Sequence, residues 1–155
     1  MLDNVRAVAH LVLYDGVCGL CDHFVQFLIR IDQHDRLRFA ALQGALGAKI
    51  LNAHGRSATA LSTVVAIPDY DPAAEPSSLQ LLDRSDAALF AIASVGGVYG
   101  GVGALRIFPR FLRNAVYVLV ARSRYRVFGR FDACPVPTAA TRARFLDLPV
   151  RTPLA

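Results

Sequence analysis

One stretch decides the fold, and it reads Tyr14-Asp15-Gly16-Val17-Cys18-Gly19-Leu20-Cys21. The apolar run that leads into it, residues 11–14, is short and continuous, which is typical of a strand buried on both faces. Asp15 and Gly16 then supply turn chemistry. From Cys21 onward, apolar residues recur at steps of three and four, which predicts an amphipathic helix: Phe24, Val25, Leu28 and Ile31. The two cysteines therefore lie at the first turn of a helix that follows a strand.

This placement favours redox chemistry of the two cysteines. A thiol reacts as its thiolate, and a helix N-terminus stabilises a thiolate through its unpaired amide groups and its dipole. We expect Cys18 to be the exposed, attacking sulfur. Cys21 lies one turn further on and faces the core, so we expect it to resolve a mixed disulfide formed on Cys18.

Asp15 has two interpretations. It is favoured as the residue that forms the turn before the helix, and the alternative is a proton acceptor for Cys21 during resolution. A Cys-x-x-Cys pair beside a strand–helix–strand pattern is more typical of a thioredoxin-like redox site than of half a zinc site. The predicted catalytic residues are therefore Cys18, Cys21 and Asp15, and no cofactor or metal is predicted.

The composition indicates one folded domain over residues 1–155. Of its 155 residues, 54% are hydrophobic and 19% are charged, a balance that excludes a disordered chain. The first ten residues include Asp3, Arg6 and His10, so no secretory signal is predicted and a cytoplasmic location is expected. Residues 87–105 carry no charge, but glycines interrupt their second half, so no membrane span is predicted.

Arginines account for most of the formal net charge of +5. They crowd one segment that has no acidic residue before Asp132: Arg106, Arg110, Arg113, Arg122, Arg124, Arg126 and Arg130. A patch for an acidic partner, an anionic surface or nucleic acid is one interpretation. No nucleic-acid motif accompanies these arginines and they are spread around a predicted helix. A solvated helix face is therefore favoured, and no nucleic-acid partner is predicted.

The order of the predicted elements is that of an α/β, thioredoxin-like fold. Its central mixed sheet would have about four strands flanked by helices, and the core would span about residues 11–96. A helix joins the first two strands, which are predicted to be parallel, and the last two strands are predicted to form a hairpin. The strands are expected over residues 11–14, 36–42, 61–67 and 79–82, and the second and third helices over 43–54 and 85–95, with Ser85 as the N-cap of the third.

A helical extension over about residues 104–138 is predicted to follow this core. Pro109 would open a long helix that runs to about Phe128, and Gly129 would close it. One apolar face of that helix is expected to pack on the domain: Leu112, Val116, Leu119 and Val120. The tail from Ala139 is short and polar, so it is expected to be loosely held.

Cys134 lies between prolines in a predicted rigid turn, where a small buried hydrophobe is the favoured interpretation. The alternatives are a third redox thiol and a metal ligand. In the second case, a zinc-binding structural domain would use Cys18, Cys21, Cys134 and His23, although the spacing fits none of the usual zinc-finger patterns. A redox-inert interaction module with a basic helix is the remaining alternative.

The stretch at residues 14–21 resembles the Asp-Gly-x-Cys-x-x-Cys motif of the DCC family, predicted thiol-disulfide oxidoreductases. The likeness covers about residues 11–140 and continues in three segments: Ser85-Asp86-Ala87, Ala121-Arg122-Ser123-Arg124-Tyr125-Arg126 and Phe128-Gly129-Arg130-Phe131-Asp132-Ala133-Cys134-Pro135. The resemblance implies a thioredoxin-like fold and dithiol–disulfide exchange by Cys18 and Cys21, with Asp15 beside them. It also implies that Cys134 and Asp132 lie near the active site, and Ser85, in the first of these segments, is a further accessory candidate.

One departure from thioredoxins proper concerns how a substrate is held. Thioredoxins place a cis-proline just before the third strand, where it faces the cysteines and helps to bind the substrate backbone. Here Ser62 and Thr63 precede Val64, and Pro68 comes after the strand. The sequence therefore predicts a protein or small-molecule thiol or disulfide as the substrate, without predicting a thioredoxin-type peptide groove.

Overall fold

A computed structural model describes residues 9–16, 18–57, 64–127 and 141–147 of the chain. Its strands are β1 (His10–Tyr14), β2 (Leu37–Ala41), β3 (Val65–Ile67), β4 (Leu82–Asp83) and β5 (Phe145–Asp147). Its α-helices are α1 (Gly19–Ile31), α2 (Ala45–Ala53), α3 (Arg84–Ser94) and α4 (Arg110–Val127). Short 3₁₀ segments cover Pro76–Ser78, Gly97–Ile107 and Arg142–Arg144.

The five strands form one mixed sheet in the order β4-β3-β1-β2-β5. β1 and β2 are parallel and are joined by α1, as the sequence predicts. β3 pairs antiparallel with both β1 and β4, so the predicted hairpin of the third and fourth strands is confirmed. The chain is thus an α/β protein with helices on both sides of a mixed sheet, which agrees with the predicted thioredoxin-like fold.

The alternation of side chains along β1 divides the core into two layers. Leu11 and Leu13 point to one face of the sheet, where they pack with Ile50 and Leu51 of α2. Val12 and the other side chains that point to the opposite face of the sheet pack with α1 and α3. Residues 11–14 are buried on both faces, which confirms the interpretation of this run as a central strand.

The fifth strand is a correction to the predicted four-stranded sheet and to the loosely held tail. Phe145 pairs in parallel with β2 and packs its ring against Phe39, with 5.5 Å between the ring centroids. Arg144 donates to the buried carboxylate of Asp32 at 3.3 Å and to the backbone oxygen of Asp32 at 3.1 Å. Three residues are too few to show a strand pattern in sequence, and long-range contacts fix this segment in place.

Several element ends also differ from the predictions. β4 is Leu82–Asp83 rather than residues 79–82, and β3 begins at Val65, while residues 61–63 lie outside the described residues. The N-cap of α3 is Asp83 and not Ser85. Ser85 lies inside the first turn, where its hydroxyl bonds to Asn114 of α4 instead of to its own helix. The predicted end of α4 at Gly129 lies outside the described residues.

The position of α4 corrects a second expectation. The helix contacts α3 and α1, but the face predicted to pack on the domain is largely open, with Val116 57% exposed and Leu119 70% exposed. The glycine-rich segment before it, Gly97–Ile107, is a 3₁₀ segment that packs on α3. Among the described residues, no helix is both long enough and apolar enough to cross a membrane.

Candidate active site at the first turn of α1

The turn after β1 places Cys18 at the N-cap of α1. The amide of Cys18 donates to the backbone oxygen of Asp15 at 3.2 Å, which closes the turn. The backbone of Cys18 is extended (φ −91°, ψ 121°), and its carbonyl accepts the amide of Asp22 at 3.0 Å, so the helix begins immediately after it. The sequence predicted this arrangement from the local pattern alone.

The sulfur of Cys18 takes the place of the usual capping oxygen. It accepts the backbone N–H of Cys21 at a distance of 3.4 Å. That amide is one of the donors that a helix leaves without a partner at its N-terminus. An N–H group directed at sulfur, together with the positive end of the helix dipole, stabilises a thiolate relative to a thiol. The two cysteines therefore share the first turn of α1, with Cys18 at its N-cap.

The prediction that Cys18 is exposed is wrong. Cys18 is 0% exposed and Cys21 is 5% exposed, and the two are not joined by a disulfide. Both side chains belong to the hydrophobic cluster between the sheet and helices α1 and α3, which also contains Tyr14 and Val25. The sequence pattern shows that a helix begins at Cys18, but it does not show how the sheet and neighbouring helices cover that end.

A cavity of about 150 Å³ borders Cys21. Its described lining comes from α1, α3, α4 and the residue before β3: Leu20, Cys21, Phe24, Val64, Ala88, Tyr117, Val120 and Ala121. Tyr117 is fixed in this wall because its hydroxyl accepts the N–H of Val64 at 3.0 Å. Cys21 is among the described residues that line this cavity, and Cys18 is not.

Asp15 is a buried carboxyl group, 3% exposed, at the other side of the turn. Its Oδ1 accepts Nε2 of Gln43 at 2.7 Å, while Oε1 of Gln43 accepts the N–H of Gly16 at 3.1 Å. Gln43 thus clamps both the side chain of Asp15 and the backbone of the turn. Gln43 is not predictable from local sequence, because it lies 28 residues from Asp15 and no local pattern connects them.

Ser85 does not line the cavity beside Cys21 and instead belongs to a polar cluster that joins α3 to α4. Its hydroxyl lies 2.6 Å from Oδ1 of Asn114 and 3.4 Å from a guanidinium nitrogen of Arg113. Arg113 also donates to Asp86 at 2.7 Å, and Arg110 lies 2.9 Å from the same carboxylate. The hydrogen bond from Arg113 and the charges of Arg110 and Arg106 lower the pKa of Asp86, although burial opposes them.

Arg113 is therefore a correction to the predicted solvated arginine face, because its side chain is only 14% exposed and is held by Asp86. Arg106, Arg110, Arg122 and Arg126 are exposed, as that prediction requires. The side chains of Arg124 and Arg130, together with Cys134 and Asp132, lie outside the described residues.

The zinc alternative depends on a set of four ligands. In the part of the chain that the structure describes, no group of three or more histidine, cysteine, aspartate or glutamate side chains is arranged to hold a metal ion. Cys18, Cys21 and His23 therefore do not form a site by themselves, and the fourth ligand of that set, Cys134, is not described.

Comparisons with known proteins bear on the same site. The family model described as "DCC1-like thiol-disulfide oxidoreductase" matches residues 12–130. The uncharacterized protein YuxK of Bacillus subtilis (strain 168) is 30% identical over 135 residues, which cover 87% of this chain and 92% of that protein. The "DCC family protein At1g52590, chloroplastic" of Arabidopsis thaliana is 33% identical over 125 residues, or 80% of this chain and 67% of that protein. No solved structure matches. The family match supports a general thiol–disulfide redox role.

Proposed function

The chain belongs to the DCC1-like thiol-disulfide oxidoreductase family, and from this premise we propose that Cys18 and Cys21 are its redox-active dithiol. The observation that carries the proposal is the hydrogen bond from the amide of Cys21 to the sulfur of Cys18 at the N-terminus of α1. An N–H group directed at this sulfur favours its thiolate over its thiol, and the second thiol lies one turn away; disulfide exchange requires a thiolate and a resolving thiol.

The exchange proceeds in two displacements. The thiolate of Cys18 attacks one sulfur of a substrate disulfide, the substrate S–S bond breaks, and the leaving thiolate takes up a proton. Cys21 then loses its proton and attacks the sulfur of Cys18, which forms the Cys18–Cys21 disulfide and releases the second substrate thiol. Two electrons pass from the protein dithiol to the substrate, and the reverse sequence oxidises a substrate dithiol.

Asp15 is the proposed acceptor for the proton of Cys21. Its carboxyl group is buried at the turn that precedes Cys18, and the amide of Gln43 fixes it there. A positioned carboxylate in a site closed to bulk water can take up a proton that the resolving thiol must lose before it attacks. Substitution of Asp15 by Asn would keep the turn and remove the acceptor, so resolution should slow while formation of the mixed disulfide continues.

Single-cysteine variants test the assigned roles. In Cys18→Ser, disulfide reduction should be abolished, because the attacking thiolate is gone. In Cys21→Ser, the first displacement still occurs and a mixed disulfide should accumulate, since no second thiol resolves it. Mass spectrometry after acid quenching and alkylation measures both species.

The outcomes separate the possible assignments. Full turnover by Cys18→Ser would refute the proposed roles, and trapping on Cys21 in that variant would show that the roles are reversed. Loss of all reaction in both variants, with wild-type thermal unfolding, would contradict a first displacement by Cys18 alone. The absence of any exchange in the wild-type protein would contradict the function itself.

Cys134, Asp132 and Ser85 remain proposed accessory residues, on the resemblance of their segments to the family. For Ser85, its bond to Asn114 supports a role in seating α4 against α3. If Cys134 is a third redox thiol, the Cys134→Ser variant should exchange disulfides more slowly than the wild type, while its Cys18–Cys21 disulfide still forms.

A further inference from the structure

A second cavity adjoins the one beside Cys21. It has a volume of about 420 Å³ and lies between α3 and α4. The two cavities share the side chains of Ala88, Tyr117 and Val120, so they adjoin along α4 and together reach from Cys21 to Leu105, Phe108 and Arg113. We call this the α3–α4 groove.

The α3–α4 groove offers a ligand almost only apolar surface. Its apolar walls include Phe24, Leu112 and Val116, and Leu112 and Val116 are about half exposed. The polar atoms in its walls already have partners within the chain: the hydroxyl of Tyr117 accepts the N–H of Val64, and the guanidinium of Arg113 bonds to Asp86. Apolar surface of this kind is costly to leave in water, and an apolar ligand would remove it.

The backbone beside Cys21 is not available for pairing with an extended peptide. The N–H of Val64 donates to Tyr117, and the carbonyl oxygen of Val64 accepts the N–H of Arg84 at 3.3 Å. A peptide bound as an added strand takes its affinity from backbone hydrogen bonds of this kind. The groove therefore favours a substrate held by its apolar body rather than by its backbone.

Positive charge lies next to the far end of the groove: Arg113 lines it, Arg106 follows the lining residue Leu105, and Arg110 shares the carboxylate of Asp86 with Arg113. Asp86 meets the guanidinium groups of Arg113 and Arg110, and the charge of Arg106 also reaches it. Arg106 and Arg110 are exposed at the surface. Three cations around one carboxylate leave an excess of positive charge among the described residues, which attracts an anionic group.

We propose that the α3–α4 groove binds a low-molecular-weight disulfide with an apolar chain, whose sulfur lies at the Cys21 end and whose anionic end lies at Arg106 and Arg110. This proposal rests on the proposed function of the cysteine pair and names its substrate class. The cysteine pair reduces such a molecule: one substrate S–S bond breaks, two substrate thiols are released, and the Cys18–Cys21 disulfide forms. Cys21 borders the groove and Cys18 is 0% exposed, so the attack by Cys18 on a disulfide seated there requires the first turn of α1 to open.

The dimensions suit an alkyl chain of moderate length. Ala121, at the cysteine end, and Arg113, at the charged end, lie eight residues apart on α4, or about 12 Å at the rise of an α-helix. An extended chain of about ten carbons, with bonds of ~1.5 Å in zigzag, covers that distance.

The test uses two dialkyl disulfides that differ only in chain length, bis(carboxydecyl) disulfide and bis(carboxyethyl) disulfide. Each is mixed in excess with the reduced protein in a single turnover, and formation of the Cys18–Cys21 disulfide is followed by quenching, alkylation and mass spectrometry. The measured quantity is the ratio of the two rate constants, because the intrinsic reactivity of dialkyl disulfides cancels in it. The wild-type protein should prefer the long chain by about tenfold or more.

Matched neighbours on α4 show whether the groove provides that preference. Val120→Gln places an amide where the two cavities join and should lower the long-to-short ratio about tenfold. Leu119→Gln is the control, since Leu119 is 70% exposed and is not among the described residues that line either cavity. A second pair, Leu112→Gln in the wall and Phe111→Gln outside it, covers the case in which Val120→Gln fails to fold.

The charged end is tested separately. Bis(hydroxyundecyl) disulfide has the long chain without the anion, so it should react more slowly than the carboxylate in the wild-type protein. Arg106→Gln should reduce that difference, whereas Arg122→Gln, an exposed arginine elsewhere on α4, should leave it unchanged.

The possible failures are distinguishable. If the wild-type protein reacts with neither disulfide, the proposed function fails. If it reacts with both equally, or if Val120→Gln and Leu119→Gln change the ratio alike, the dithiol chemistry stands and the substrate inference is overturned. A dimer in light scattering that the Val120→Gln variant abolishes would assign the groove to a second copy of this chain, and would also overturn it.

Discussion

The two faces of the sheet are packed differently, although both belong to one core. On the α2 face, Leu11, Leu13, Ile50 and Leu51 are 0–1% exposed and meet the sheet directly. On the opposite face, the cysteine pair lies buried beside a cavity that continues toward the surface between α3 and α4. The α2 face thus resembles an ordinary close-packed core, and the cysteine face combines a rigid helix start with incomplete packing.

This difference suggests a division of tasks. Close packing on the α2 face holds β1 in place, and β1 ends in the turn that positions Asp15 and Cys18. Incomplete packing on the other face leaves a cavity next to Cys21, which is where the proposed substrate would lie. Substitutions on the α2 face should therefore change stability, and substitutions in the α3–α4 groove should change exchange.

The largest effect is expected from the same substitution made on each face. Leu51→Ala removes a fully buried side chain and should lower the free energy of unfolding by about 2–5 kcal/mol. Leu112→Ala, at a position that is 47% exposed, should lower it by no more than about 1 kcal/mol. Urea unfolding followed by circular dichroism measures both, and equal losses would contradict the difference between the faces.

A smaller effect on the free energy of unfolding is expected at Gly47 of α2, and its sign is the opposite of the usual one for a glycine-to-alanine change in a helix. Alanine usually stabilises a helix relative to glycine by about 1 kcal/mol. A Cβ at residue 47, however, would collide with the backbone oxygen of Ala41, which cannot move aside without disturbing β2. Gly47→Ala should therefore destabilise the protein by about 1–3 kcal/mol.

Gly101→Ala is the matched control for this substitution, because a Cβ there would meet open space in the described part of the chain. It should change the free energy of unfolding by less than about 0.5 kcal/mol. If the Gly47→Ala protein is as stable as the wild type, α2 does not pack against the backbone of Ala41 closely enough to exclude a methyl group.

The smallest effect concerns the pH dependence of the cluster that holds α4 on α3. Arg113, and then Arg110 and Arg106, lower the pKa of Asp86 below its ordinary value of 3.8. A carboxyl group whose pKa is lower in the folded state stabilises that state above its unfolded-state pKa. This contribution should therefore be complete above about pH 4 to 5 and should be lost as the pH falls through the folded-state pKa.

The measurement is urea unfolding of the wild type and of Asp86→Asn between pH 2 and 6. This is about the range over which a carboxyl group titrates. The wild type should lose more stability than the variant as the pH falls. Identical pH profiles would contradict the ion pair as a stabilising contact between α3 and α4.

Local patterns were sufficient for much of the fold and for the position of the cysteine pair. The strand at residues 11–14, the turn and the helix that begins after Cys18 are each specified by neighbouring residues, and the structure confirms them. The parallel pairing of β1 and β2 followed from the handedness of a strand–helix–strand unit.

Features that depend on distant contacts could not be predicted in the same way. The clamp on Asp15 comes from Gln43, and β5 is held by contacts of Phe145 with Phe39 and of Arg144 with Asp32. The burial of Cys18 depends on the elements that cover it, so a helix N-terminus in sequence does not report exposure. The open face of α4 was mistaken for a packing face because apolar spacing is the same in both cases.

The most direct test of the account is a redox titration of the wild-type protein, read by alkylation and mass spectrometry. We predict a reversible loss and gain of two hydrogens confined to Cys18 and Cys21, with the oxidised peptide linked by a disulfide. Cysteines that stay reduced across the titration, or that oxidise only irreversibly, would contradict the claim that the first turn of α1 carries a redox-active dithiol.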